Sequence, residues 1–406
     1  MSVRARGALV CAALALACPA ALRAQWSYGA QAIPVIARAD PAPIDSSVTQ
    51  FVVAQPVVWV HGMLWDGRVR LHAMLDGEAL TMKNGQIATS DFGEGWSDKR
   101  HPHTWAHELI ASLVDVARLP GPLHWSLTAG KGFAPFGSDD PMNRPAVLFP
   151  ANHHWSQILE RAVAVVGVRA GPATLEVGWF NGDEPENPWQ WPNWTRFADS
   201  RSARLTVAPL NGLELQGSLA DVASPEHRGG AGLDHSMWNV SARYQHPAGP
   251  GALYAMAELA RTDEEGVFVY HSALAEAQYT VGRHRPYLRL EQTDRPEEPR
   301  LLNDPFRSIR PHNENGNLGI TRWRSAVAGY GWSVTRPGAR LRAEAVAEAA
   351  YFHVTVVTGA TLNPEAFYGR NDLWQLGVGL RIGAFDPLHR MGRYGVAAEE
   401  PMHHHM

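Results

Sequence analysis

Cysteine is almost missing: the 406-residue chain has two, Cys11 and Cys18, and both lie in its first 24 residues. A chain beginning at Gln25 would have none, which excludes disulfides, cysteine-based zinc sites and a cysteine nucleophile. Charge is also sparse, at 19% of residues, and the formal net charge is −4. That sign and size argue against a nucleic-acid partner. Beyond the first 24 residues no run approaches the ~18 consecutive apolar residues of a membrane-spanning helix. At 45% hydrophobic, the chain is nonetheless too apolar to be disordered.

The start reads as an export signal: Arg4 and Arg6, then the apolar run Ala8 to Ala17, then Leu22-Arg23-Ala24 before Gln25. The expected product leaves the cytoplasm. Downstream, apolar and polar residues alternate. Leu175, Val177 and Trp179 interleave with Thr174, Glu176 and Gly178, and Leu213 and Leu215 with Glu214 and Gln216. Trp238, Val240, Ala242 and Tyr244 interleave with Asn239, Ser241 and Arg243, and Leu341, Ala343 and Ala345 with Arg342 and Glu344. Period two means strands with one apolar and one polar face. Such strands build either a water-soluble sandwich or a barrel whose apolar face meets lipid.

The connections favour the barrel. Short links with Pro and Gly, such as Ala170 to Pro172, Pro209 to Gly212 and Pro247 to Gly251, take turns with long ones. The long ones include Phe133 to Trp155, Asp183 to Ala198 and Arg295 to Gly316. Tight turns on one rim and long loops on the other are the layout of an outer-membrane barrel. The expected fold is therefore all-β: a transmembrane antiparallel up-and-down β-barrel of about 14 strands, with 12 or 16 open because Val57 to Met82 reads as one strand or three. Thr104 to Val116 is ambiguous, since Leu109, Leu113 and Val116 also fit helical spacing. The expected division is a signal peptide over 1–24, a periplasmic arm over 25–53 with Pro34, Pro41 and Pro43, a barrel over 54–385, and a periplasmic tail over 386–406.

Two stretches carry a resemblance. Gln375, Gly377, Leu380 and Ile382, closing on Phe385, resemble the final-strand insertion signal of outer-membrane barrels. Gly130 to Gly137 resembles a strand-end motif of phosphate-selective and related porins. Together with Arg100-His101-Pro102-His103, Asn152-His153-His154-Trp155 and Phe180 to Pro185, it is similar to a porin-like family of bacterial outer-membrane β-barrels. The resemblance implies a fold, the cell outer membrane as location, and the barrel assembly machinery and membrane lipid as partners. It carries over no activity, and phosphate selectivity does not map onto Lys131 or Asp139-Asp140.

With the apolar faces toward lipid, the inward set is Glu176, Arg204, Glu214, Arg243, Glu258, Arg289, Glu291, Arg340, Arg342, Glu344, Glu348 and Arg381. Six Glu and six Arg describe either a wet pore without strong charge selectivity or an internal salt-bridge network that conducts little. Phe133 to Trp155 either folds inward as a constriction with Asp139, Asp140 and Arg144 or caps the outside. Trp189, Trp191 and Trp194 either stack sugars or pack on neighbouring loops. Of the 19 histidines, His101, His103, His153 and His154 fall in two loops on one rim and are candidate ligands for a divalent metal. His107 would join them only if Thr104 onward is helical. Met402 to Met406 mixes thioether and imidazole donors that suit copper. No nucleophile–base pair stands out, so no catalytic residue and no resident cofactor is expected. The leading expectation is a channel for passive diffusion of small hydrophilic solutes. The alternative is a copper- or zinc-binding barrel without channel activity.

Overall fold

The computed structural model describes residues 24–42, 46–81, 103–117, 119–297, 300–301, 304–308, 317–336, 338–359 and 363–398. The strands are β1 (Gln25–Ala42), β2 (Ser46–Leu64), β3 (Val69–Asp76), β4 (Ala106–Val114), β5 (Leu123–Gly132) and β6 (Arg161–Ala170). Next come β7 (Ala173–Phe180), β8 (Ser200–Leu210), β9 (Leu213–Val222), β10 (His235–Ala248), β11 (Gly251–Glu264), β12 (Phe268–Thr280) and β13 (His284–Glu297). The short pair β14 (Arg300–Leu301) and β15 (Asp304–Ser308) is followed by β16 (Gly319–Ser333), β17 (Leu341–Thr358) and β18 (Asp372–Phe385).

Sixteen of these, β1 to β13 and β16 to β18, form one closed antiparallel barrel in which each strand pairs with its chain neighbours; β14 and β15 make a separate two-stranded sheet. Closure comes from β1, which pairs with β2 on one side and β18 on the other. A closed sheet has no edge, so every backbone group in the hydrocarbon region finds a partner. Among the described residues no helix is long and apolar enough to cross a membrane. The crossing is made by strands.

The main expectation of about 14 strands therefore falls two short, the open alternative of 16 is the one that forms, and the expected arm over 25–53 is instead β1 and the first part of β2. The reason is chemical. Ile33, Val35, Ala37 and Ala39 are buried inside the barrel, while Trp26, Tyr28 and Ile36 are exposed on its outside. With apolar residues on both faces, no period-two contrast marks the strand. Pro34 is tolerated because the ladder from β1 to β18 passes from Ala32 to Val35 without a pairing at Pro34. Of Val57 to Met82, whose last residue lies outside the described residues, the rest forms the end of β2, a turn at 65–68, β3 and a short helix, Glu78–Thr81. Thr104 to Val116 is extended, with β4 over most of it, and its helical spacing is incidental.

The outward face is apolar. Leu175, Leu205, Leu219, Val240, Leu259, Leu290, Leu376 and Val378 all point away from the barrel, with Leu219 65% exposed. Trp26, Tyr28, Tyr244, Tyr330, Trp332 and Phe385 ring the rim of tight turns, and Phe51, Trp179 and Trp374 lie toward the other. An apolar band between aromatic girdles is the lipid-facing surface of an outer-membrane barrel.

Candidate functional site: a lumen filled by an inner loop and the C-terminal segment

The connection 133–160 turns into the barrel rather than over it. Asp139, Asp140 and Arg144 are all buried in the lumen, so the loop folds inward. Gly137 makes the turn at φ +69°, where a side chain would overlap the Ser156 carbonyl, so the loop folds tightly on itself. From the opposite rim a second segment enters. Residues 386–398, expected as part of a periplasmic tail, run back up inside the barrel.

The two segments meet. Asn143 Nδ2 donates to the His389 carbonyl (2.9 Å), and the Met391 amide donates to Asn143 Oδ1 (3.2 Å). Arg390 Nε donates to Asp139 Oδ1 (2.8 Å), and its terminal nitrogens donate to both oxygens of Glu214 (2.8 and 2.9 Å). Tyr394 hydroxyl accepts from the Phe133 amide (2.9 Å) and donates to Glu108. The Val396 amide donates to Ser126 Oγ (3.1 Å) on β5. Gly395 lies so close that a Cβ there would overlap Ser126. Further along, His389 packs against the rings of His61 and His72 on the wall, at 5.4 and 6.4 Å.

The charged strand positions read from the sequence hold these segments. Arg204 pairs bidentately with Glu176 (2.7 and 3.0 Å) and also donates to the Gly392 carbonyl (2.6 Å). Glu291 accepts from the amides of Ala151 (3.1 Å) and Asn152 (2.7 Å), and Glu348 from those of Val147 (2.5 Å) and Leu148 (3.1 Å). Arg289 donates to the Leu148 carbonyl (2.8 Å) and Arg381 to that of Pro145 (3.1 Å). Glu258 accepts from Asn152 Nδ2 (2.7 Å) and lies 3.6 Å from Arg144. Arg243 lies 3.1 Å from Asp139. Arg342 donates to the Asp386 carbonyl (2.9 Å), holding the start of the C-terminal segment. Glu344 pairs with Arg285 (2.6 and 2.7 Å), and Glu214 with Arg390 and Arg393. Arg340 is the exception: it sits in the exposed turn ahead of β17.

Carboxylates therefore meet loop amides and arginines meet loop carbonyls, the charge-assisted bonds that satisfy an irregular backbone buried away from water. Glu176 and Arg204 are each 1% exposed, so this stretch of the lumen is protein-filled. Burial alone would raise the Asp139 carboxyl, but Arg390, Arg243 and Arg393 outweigh it and hold it well below the usual carboxylate range. Asp140 differs: burial dominates and its carboxyl is raised.

The rim histidines divide. His101 and the C-terminal Met402 to Met406 lie outside the described residues. His153 packs against His154 (3.7 Å between ring centres) and edge-on to Phe149, and His154 lines a rim cavity with Trp155, Arg161, Glu184 and His235. His103 lies with Asp76 and His107, and neither His153 nor His154 belongs to that group. His107 thus joins His103 although residue 104 onward is extended, contrary to the expectation that only a helix would bring it there. Trp189, Trp191 and Trp194 are exposed on the loop rim, with Trp189 packed against Trp105 (5.2 Å).

Sequence reasoning missed the C-terminal segment. Arg390 and Arg393 follow the last strand as an unexplained basic pair, and that was the available signal.

Comparison with known proteins agrees with this architecture. No family model matches the chain, and no curated protein matches it by sequence. Among solved structures it is similar to an anion-selective porin from Comamonas acidovorans (TM-score 0.52, 11% identity, covering 90% of this chain and 100% of that one). It is also similar to OmpF of Salmonella typhi in complex with daunomycin (0.50, 11%, 89% and 98%). A loop-deletion mutant of the outer membrane protein OmpT of Vibrio cholerae matches to a like degree (0.50, 10%, 89% and 99%). At such identity the likeness is one of fold. Fold and apolar belt together define a bacterial outer-membrane β-barrel of porin-like architecture.

Proposed function

We propose that the protein is a porin-like channel for small hydrophilic solutes, closed in this conformation by the inner loop and the C-terminal segment. The observation that carries the reading is a polar inner wall met by two segments that reach it through side-chain contacts rather than strand pairing. Glu176, Arg204, Glu214, Arg243, Glu258, Arg289 and Glu291 line strands β7 to β13. Burying so many charges is a poor way to stabilise a filled barrel, because apolar residues of similar volume usually do as well or better. Charged walls make sense if water reaches them when the plug moves. A barrel of 16 strands is also wide enough for an aqueous channel. The balance of Glu and Arg fits weak charge selectivity.

Insertion would rest on β18, whose Gln375, Gly377, Leu380 and Ile382 form the segment read by the barrel assembly machinery. Proteoliposome swelling tests the channel reading. Vesicles with the full chain should swell slowly in small sugars, and vesicles with a chain ending at Asp386 should swell rapidly. Equal impermeability of both, with both chains folded as heat-modifiable barrels, contradicts it.

A further inference from the structure

A cluster near the loop rim joins groups that the channel reading does not use. Asp76 ends β3, Glu78 opens the short helix after it, and His103 returns just before β4, which carries His107. Glu160 closes the inner loop ahead of β6. All five side chains are buried. One ligand atom each from Asp76, His103 and His107 lie within 4.8 Å of one another.

The hydrogen bonds assign the ring atoms. His107 Nδ1 is 3.2 Å from Glu160 Oε1, which also accepts from the Thr104 amide (2.9 Å). Nδ1 therefore donates to a fixed carboxylate. Across the ring, His107 Nε2 has no hydrogen-bond partner. A buried N–H without an acceptor is costly, so Nε2 presents a lone pair. Asp76 Oδ1 accepts from the Glu78 amide (2.7 Å), while Oδ2 makes no hydrogen bond and lies 3.7 Å from His103 Nδ1. His103 Nδ1 is in turn 2.9 Å from Glu78 Oε2. At His107 a carboxylate behind one ring nitrogen and a bare nitrogen opposite reproduce the way histidine ligands of metals are oriented. The buried Lys131 ammonium lies 3.5 Å from Glu160 and offsets that carboxylate, leaving Asp76 and Glu78 beside the two imidazoles.

We propose that Asp76, His103 and His107 bind one divalent transition-metal ion, with Glu160 positioning His107 and Glu78 positioning His103. Two imidazoles and a carboxylate suit zinc and its neighbours rather than calcium or magnesium, which prefer all-oxygen shells. The ion would pin the end of the inner loop, through Glu160, to the β3–β4 wall.

The test is zinc titration by calorimetry on the full-length barrel. The protein carries His403→Gln, His404→Gln and His405→Gln, so that the C-terminal histidines contribute nothing. Heat-modifiable migration verifies the fold of each variant. One equivalent should bind saturably at micromolar zinc. Asp76→Asn and His107→Gln should each weaken binding at least tenfold, and His271→Gln, an exposed site, should leave it unchanged. Cobalt added to the parent should give visible bands of nitrogen–oxygen coordination, a readout that needs no variant. Absence of saturable zinc binding and of cobalt bands in the folded parent overturns the site, as does equal affinity in Asp76→Asn and His107→Gln.

Discussion

The inner loop touches two walls of opposite chemistry. On the side of β1, β2 and β16 to β18, its residues Ala146, Val147 and Leu148 pack into an apolar cluster with Val35, Val52, Trp323, Val346 and Phe352. On the side of β7 to β11, Asp139 and Arg144 join an ionic network with Arg243, Glu258, Arg390 and Glu214. The first wall grips the loop's side chains like a protein core, with Glu348 and Arg381 holding only its backbone, whereas the second binds its side chains through charge. The difference teaches which contacts hold the loop permanently and which ones can exchange for water. Apolar contacts have no good substitute in an aqueous lumen, while charged groups do.

The comparison can be broken from the ionic side. Arg390→Ala removes the shared partner of Asp139 and Glu214. Breaking a buried pair this way costs about 3–5 kcal/mol. The C-terminal segment should detach, and trypsin should cleave it from the folded barrel at low enzyme; persistent protection contradicts the assignment. Leu148→Ala probes the other wall. A cavity there should cost about 2–5 kcal/mol, read as a lower unfolding temperature, without releasing the C-terminal segment. If Leu148→Ala frees that segment as readily as Arg390→Ala, the two walls do not divide the work.

Smaller effects sharpen the distinction. Asp139→Asn leaves Arg243 and Arg390 less compensated, so the residual current should shift toward anions, measured as reversal potential in a salt gradient. The same variant gives a pH test. A carboxyl held below its ordinary value contributes stability that is fully present above the unfolded pKa of ~3.9 and lost only as pH falls through the depressed value. The stability difference between the parent and Asp139→Asn should therefore be constant from pH 7 to pH 5. A difference that shrinks over that interval means Asp139 is not held by the arginines.

Alternation alone made the barrel and its inward charges legible wherever one face was apolar and the other polar, as in β7, β9 and β10. It failed at β1 and β2, whose inner faces join the apolar wall. The same wall that holds the loop thus hid two strands from the sequence. The inward turn of 133–160 was one of two readings, because nothing in Asp139 or Arg144 says which way a loop bends. Their partners, Arg243, Glu258 and Arg390, come from strands and a segment far along the chain. Residues 386–398 carry no period at all, and their place depends on side-chain contacts with six or more strands. The metal-ligand reading found His103 but paired it with histidines sharing its rim, whereas its neighbours come from the end of β3 and the start of β4.

The central claim is that the lumen is closed by a plug that separates from a polar wall. Single-channel recording in planar bilayers, comparing the full chain with one ending at Asp386, tests it most directly. Rare, small steps are expected for the full chain and frequent, larger, weakly selective steps for the shortened one. Identical silence from both, with each shown to be a folded barrel, would contradict it.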